Sequence, residues 1–172
     1  MRRWLAFLIA VLVARSVCPE VYDEYAVKAA YLYNFAKFVE WPSGTFSNHD
    51  APLVICIAGD NPFGDTLAAI SNKNVDSHPV EVRIISLTAR LDQCHVVFIG
   101  RADQEQFKTV LLKLARLPVL TVSDINGFAQ AGGMIELFKT EQRIRFNISI
   151  QATHRANLKL SSQLLKLATI VD

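Results

Sequence analysis

The chain has no apolar run long enough to cross a bilayer. Its longest, Trp4 to Ala14, falls well short of the ~20 residues that a spanning helix needs. Only three of the 172 residues are cysteine, none in a CxxC pair, and the four histidines stand singly. Such spacing makes no zinc site, and neither a metal nor a cofactor is expected. There is no GxSxG elbow, no phosphate-binding P-loop, no HExxH and no GxGxxG. The carboxylates are spread evenly, without a helical pair on an apolar face. These absences argue against an enzyme.

A basic run is also missing once the N-terminus is set aside. Met1-Arg2-Arg3 followed by the short apolar stretch reads as a secretory signal, with Ala14-Arg15-Ser16 supplying small residues for cleavage after Ser16. Removing residues 1–16 takes Arg2, Arg3 and Arg15 away and leaves 15 basic against 16 acidic residues, a net charge of −1. Nothing in that balance points to nucleic acid. The remainder, 17–172, suits a single domain with one core, placed in the periplasm. In an oxidising compartment Cys56 and Cys94, each beside a buried run, are expected to pair, the alternative being two separate buried thiols. The closed loop of about 38 residues would stabilise the fold by roughly 3–4 kcal/mol. Cys18 lies in the first mature residues and is given no role.

What is present is a series of apolar runs. Leu53 to Ala58 is rich in β-branched residues and bounded by Pro52 and Gly59, as a strand buried on both faces should be. Pro79 to Ser86 alternates, with Val80, Val82 and Ile84 expected inward, and reads as an edge strand. His95 to Gly100 and Pro118 to Val122 are further buried strands. Helices are expected over Pro62 to Ile70 and Asp103 to Leu117, the latter with Phe107, Val110, Leu111 and Leu114 on its inner face. This alternation predicts an α/β fold, a three-layer α/β/α sandwich whose mostly parallel sheet has the order 2-1-3-4. Met134 to Lys139 and Arg143 to Ile150 form an antiparallel hairpin that extends the sheet. A short helix over Gln151 to Ala156 follows, with Asn157 as a left-handed C-cap, and Ser161 caps a last helix.

Tyr22 to Trp41 reads as one helix, stopped by Pro42. Glu24 and Lys28 make an i,i+4 pair on it. Aromatic residues cover much of the rest, so the helix is buried on more than one side. It is either wedged between the sheet and a loop or partly an interface, with Tyr22, Tyr25 and Tyr33 as the candidate partner surface. A ligand, if there is one, belongs beyond the carboxyl ends of the parallel strands. There the rim is Gly59, Asp60, Asn61, Phe63, Gly100, Arg101, Ser123 and Asp124, with free amides near Asn61 as candidate anion donors. Ordinary turn chemistry is the competing account of the same residues.

Several of these stretches resemble the YfiR family of periplasmic regulators. The first is Val27-Lys28-Ala29-Ala30-Tyr31-Leu32-Tyr33-Asn34-Phe35-Ala36-Lys37-Phe38-Val39-Glu40-Trp41-Pro42. Gly59-Asp60-Asn61-Pro62-Phe63-Gly64 and Leu120-Thr121-Val122-Ser123-Asp124 follow. Gly132-Gly133-Met134-Ile135, Arg145-Phe146-Asn147-Ile148 and Leu158 to Ala168 complete the match. The resemblance implies an exported α/β/α protein in which Cys56 and Cys94 match a family disulfide. It also implies binding to the periplasmic part of an inner-membrane diguanylate cyclase, held inactive so that cyclic-di-GMP, biofilm and exopolysaccharide output stay low. Release follows reducing or envelope stress in such proteins. Some carry a second disulfide late in the chain. No cysteine follows Cys94 here, so a switch built on that pair does not carry over. Relatives stand beside sensor kinases or outer-membrane receptors, which makes a related sensor protein the alternative partner. A homodimer also fits the resemblance and the aromatic surface.

Overall fold

A computed structural model of the chain describes residues 23–141 and 143–172. The expected signal peptide, Cys18 and Tyr22 lie outside the described residues. The elements are α1 (Glu24–Lys37), β1 (Val39–Glu40), β2 (Leu53–Ala58), β3 (Asn74–Val75), β4 (His78–Ile85), β5 (Val96–Ile99), α2 (Phe107–Leu114) and β6 (Leu120–Ser123). They continue with β7 (Ile135–Lys139), β8 (Ile144–Ile148), α3 (Ile150–Arg155), β9 (Lys159–Leu160), α4 (Ser162–Leu167) and β10 (Thr169–Ile170). No helix among the described residues is long and apolar enough to cross a membrane.

One sheet runs in the order β10-β8-β7-β6-β5-β2-β4-β3. Its centre, β4-β2-β5-β6, has the expected order and is parallel throughout. β7 joins parallel to β6, and the β7–β8 hairpin is antiparallel. Every residue of β2, β5 and β6 is buried, which is why β2 and β5 read as unbroken apolar runs, while β6 also buries Thr121 and Ser123. Alternate side chains feed two cores. Leu53, Ile55, Ile57, Phe98 and Val122 meet α1 and the chain's last helices on one face. Val54, Cys56, Val97 and Ile99 meet Phe107, Val110, Leu111 and Leu114 of α2 on the other. The result is an α/β/α sandwich.

Cys56 of β2 forms a disulfide with Cys94, two residues before the neighbouring strand β5, with Cα atoms 5.9 Å apart. Both are buried. The bond therefore ties the sheet together beneath the α2 layer.

The boundaries differ from expectation in informative places. α1 stops at Lys37, four residues before Trp41. Val39 and Glu40 leave the helix to pair with Leu160 and Lys159, and the Ser161 amide closes on the Phe38 carbonyl at 2.9 Å. The expected helix from Pro62 is a short 3₁₀ stretch, Gly64–Ala69. The expected helix from Asp103 begins only at Phe107, after a 3₁₀ turn at Arg101–Asp103. The hairpin's second strand ends at Ile148, and Ser149 caps α3 through its hydroxyl. Ile84, expected inward, is 60% exposed. β3 pairs only with His78 and Pro79, so among the described residues no strand lies outside β4 beyond that point. The two-residue β10 was not anticipated. Asn157 (φ 56°) does take the left-handed conformation, and Ser161 does cap α4.

Candidate functional site

The distinctive chemistry lies at the carboxyl ends of β5, β6 and β7, where α1 crosses them. The Ser123 hydroxyl donates to the Ile99 carbonyl (2.7 Å) and accepts from the Ile125 amide (2.9 Å). That turn points Asp124 under the helix, where it is wholly buried. Lys28, in the second turn of α1, is 0% exposed. Its Nζ lies 2.6 Å from Asp124 Oδ2 and 2.6 Å from Glu24 Oε1. The Tyr25 hydroxyl donates to the same Asp124 oxygen at 3.0 Å, and Lys28 Nζ sits 4.2 Å from the centre of the Tyr25 ring. Arg101 Nε donates to the Asp124 carbonyl at 2.9 Å. Lys139 Nζ lies 3.4 Å from Glu24 Oε2. Asp124 Oδ1 has no hydrogen-bond partner among the described residues.

The protonation states follow from this geometry. The hydrogen bond from Lys28 holds the Glu24 carboxyl below its ordinary range. Burial, then the charge of Asp124, pushes the Tyr25 phenol up to about 12, so it remains a donor. A buried ion pair of this kind gains little net stability, because desolvation offsets the Coulomb attraction. Its effect is positional: Asp124 can be satisfied only while α1 lies across the strand ends.

The sequence carried one signal for Lys28. It stands at the spacing of Leu32 and Phe35, both buried on α1, so it occupies a core stripe. Its partner is 96 residues away, which no local pattern reveals.

The residues expected at the rim are arranged differently from a row of free donors. Gly59 has φ +86°, and a Cβ there would overlap the Asp103 carboxylate. Asp103 Oδ2 accepts from the Asp60 amide at 3.1 Å. Asn61 Oδ1 accepts from the Phe63 amide at 3.0 Å. Phe63 is buried and stands edge-on to Tyr25 and Phe98. The turn at residues 59–63 thus meets its own side chains, while Arg101 belongs to the Asp124 cluster. Beside that cluster lies a recess of about 370 Å³ lined by Arg101, Gln104, Asn126, Phe138 and Lys139.

Of the candidate partner residues, Tyr25 turns its hydroxyl inward. Tyr33 is half-buried and donates to the Asn74 carbonyl at 2.8 Å. The outward stripe of α1 is Ala26, Ala30, Asn34 and Lys37. At the opposite end of the strands, Phe46 stacks between His78 (3.7 Å) and His95 (4.5 Å). His95 Nδ1 accepts from the Val54 amide at 3.0 Å, and burial, then nearby His78, pushes the ring down to about 4. Among the described residues no group of three or more His, Cys, Asp or Glu is placed to hold a metal.

In comparison with known proteins, the model of a family described as YfiR/HmsC-like matches residues 25–169.

Proposed function

The chain belongs to the YfiR/HmsC-like family, whose match spans nearly all of the described fold, and from that premise we propose that it is a periplasmic negative regulator of an inner-membrane diguanylate cyclase. The family is known as periplasmic regulators of such cyclases and is regulatory rather than catalytic. The family match is the observation that carries the reading. The export signal expected at the N-terminus and the lack of catalytic motifs in the sequence agree with it.

The mechanism is a population shift. The regulator binds the periplasmic part of the cyclase better in its inactive conformation than in its active one. A tenfold fall in cyclic-di-GMP synthesis needs a difference of about 1.4 kcal/mol between those affinities. The contact surface lies on the outward side of α1 around Tyr33, together with the C-terminal segment. α1 suits that role because the Lys28–Asp124 pair fixes it rigidly on the sheet. Deletion and restoration of the gene, with cellular cyclic-di-GMP as the readout, tests the reading.

The second reading is a small-molecule-binding or accessory module for a sensor kinase or outer-membrane receptor. The recess beside Arg101 is the observation that favours it.

A further inference from the structure

We propose that the recess bounded by Arg101, Gln104, Asn126, Phe138 and Lys139 binds a small oxyanion, a carboxylate or a phosphate. The recess lies where β5, β6 and β7 end: Arg101 follows β5, Asn126 follows β6, and Phe138 and Lys139 close β7. Its volume of about 370 Å³ is in the range of small-ligand sites.

The charge arrangement selects the ligand. Five charged side chains form one chain of contacts: Lys139, Glu24, Lys28, Asp124 and Arg101. Three are cations and two are anions. Both carboxylates turn towards buried Lys28, and Asp124 is wholly covered. The two outer cations line the recess, so its wall is positive while the negative charge lies behind it.

Arg101 is prepared for the task. Its Nε donates to the Asp124 carbonyl at 2.9 Å, which fixes the plane of the guanidinium. Its side chain is 54% exposed, and no hydrogen bond to a described residue engages its two Nη nitrogens. A guanidinium held at Nε presents those nitrogens as a fork that matches two oxygens of a carboxylate or phosphate. The Gln104 and Asn126 amides add neutral donors, and Phe138 gives an apolar wall.

The site does not depend on the partner being a cyclase. It does have a consequence for α1. The cations that would hold the anion also contact Asp124 and Glu24, which hold Lys28. Binding in the recess and the seating of α1 are therefore coupled, and a partner that grips α1 would change the anion affinity by the same factor as the anion changes partner affinity.

The test is isothermal titration calorimetry on the mature protein with inorganic phosphate and, separately, succinate, each against chloride at matched ionic strength. Saturable binding of at least one oxyanion is expected. Arg101→Gln and Lys139→Gln should each weaken it about tenfold, or ~1.4 kcal/mol. Arg90→Gln, which removes an exposed cation paired with Asp92, should leave it unchanged. Phosphate alone would identify a phosphoryl ligand, succinate alone a carboxylate, and both a general oxyanion site. Lys139→Gln changes an exposed wall residue, so it keeps the test decisive if Arg101→Gln impairs folding. No saturable heat with either anion, or affinities that the Arg101 and Lys139 variants leave intact, would overturn the proposal.

Discussion

Lys28 stands between two carboxylates with no water to turn to, and removing its ammonium strands the wholly buried Asp124, while Glu24 keeps Lys139. Breaking a buried pair by deleting one partner costs about 3–5 kcal/mol, far more than the pair gains over an apolar substitute. Lys28→Ala is therefore expected to lose about that much in urea unfolding. A double variant, Lys28→Met with Asp124→Leu, should recover most of the loss, because it leaves no charge unpaired at the Asp124 site. A loss below about 1 kcal/mol in the single variant, the scale of an exposed pair, would show that Asp124 has other support. His95 gives the second prediction at this scale. The folded ring keeps its proton off down to about pH 4, whereas an unfolded histidine takes one near pH 6.5. The unfolded state binds more protons between those values, so stability should fall as pH drops from about 6.5 to about 4. Protonating Nδ1 would also forfeit the bond from the Val54 amide. His95→Asn, whose carbonyl can still accept from Val54, should flatten that limb of a stability–pH curve. An unchanged slope would assign the limb to other groups. Glu24, held low by Lys28, adds a further loss only below its ordinary range near 4.5.

At the scale of elements, α1 is the surface in question. Its tyrosines are half-buried, with Tyr25 committed to Asp124 and Tyr33 to Asn74, and Phe35 is fully buried. Its exposed stripe is Ala26, Ala30, Asn34 and Lys37. If a partner docks there, Ala30→Arg should weaken co-purification with the cyclase about tenfold, while unfolding and the far-ultraviolet spectrum stay unchanged, because the new side chain points to solvent. Full retention of binding would take α1 out of the interface. The same helix shows what sequence patterns can and cannot reach. Its helical rhythm and the Glu24–Lys28 pair were legible, since each depends on neighbours within a turn or two. Its end was not, because Val39 and Glu40 leave the helix for a pairing with residues 159–160 that local propensity does not contain. β2 and β5 were legible because burial on both faces leaves a continuous apolar run. Ile84 misled because its alternation continues past the point where anything covers β4. The Cys56–Cys94 pairing was foreseen from compartment and strand order together. The Asp124 cluster was legible only in pieces: Arg101, Ser123 and Asp124 fall on the expected rim and Glu24–Lys28 on the helix, but the contact that joins them spans 96 residues. The recess was missed for the same reason; only Arg101 had been singled out.

For the whole molecule, the parts combine into a rigid platform. A disulfide ties β2 to β5, two apolar cores clamp the sheet, and a buried ion pair fixes α1 across the strand ends. Such a body is suited to recognising one conformation of a partner, because its own shape yields little on contact. The central claim is that this recognition holds a diguanylate cyclase inactive. The most direct measurement is cellular cyclic-di-GMP with the gene deleted and then restored. The account predicts a rise on deletion that restoration reverses, together with a matching rise and fall in biofilm. An unchanged level in both strains, with the cyclase present and active, would contradict it.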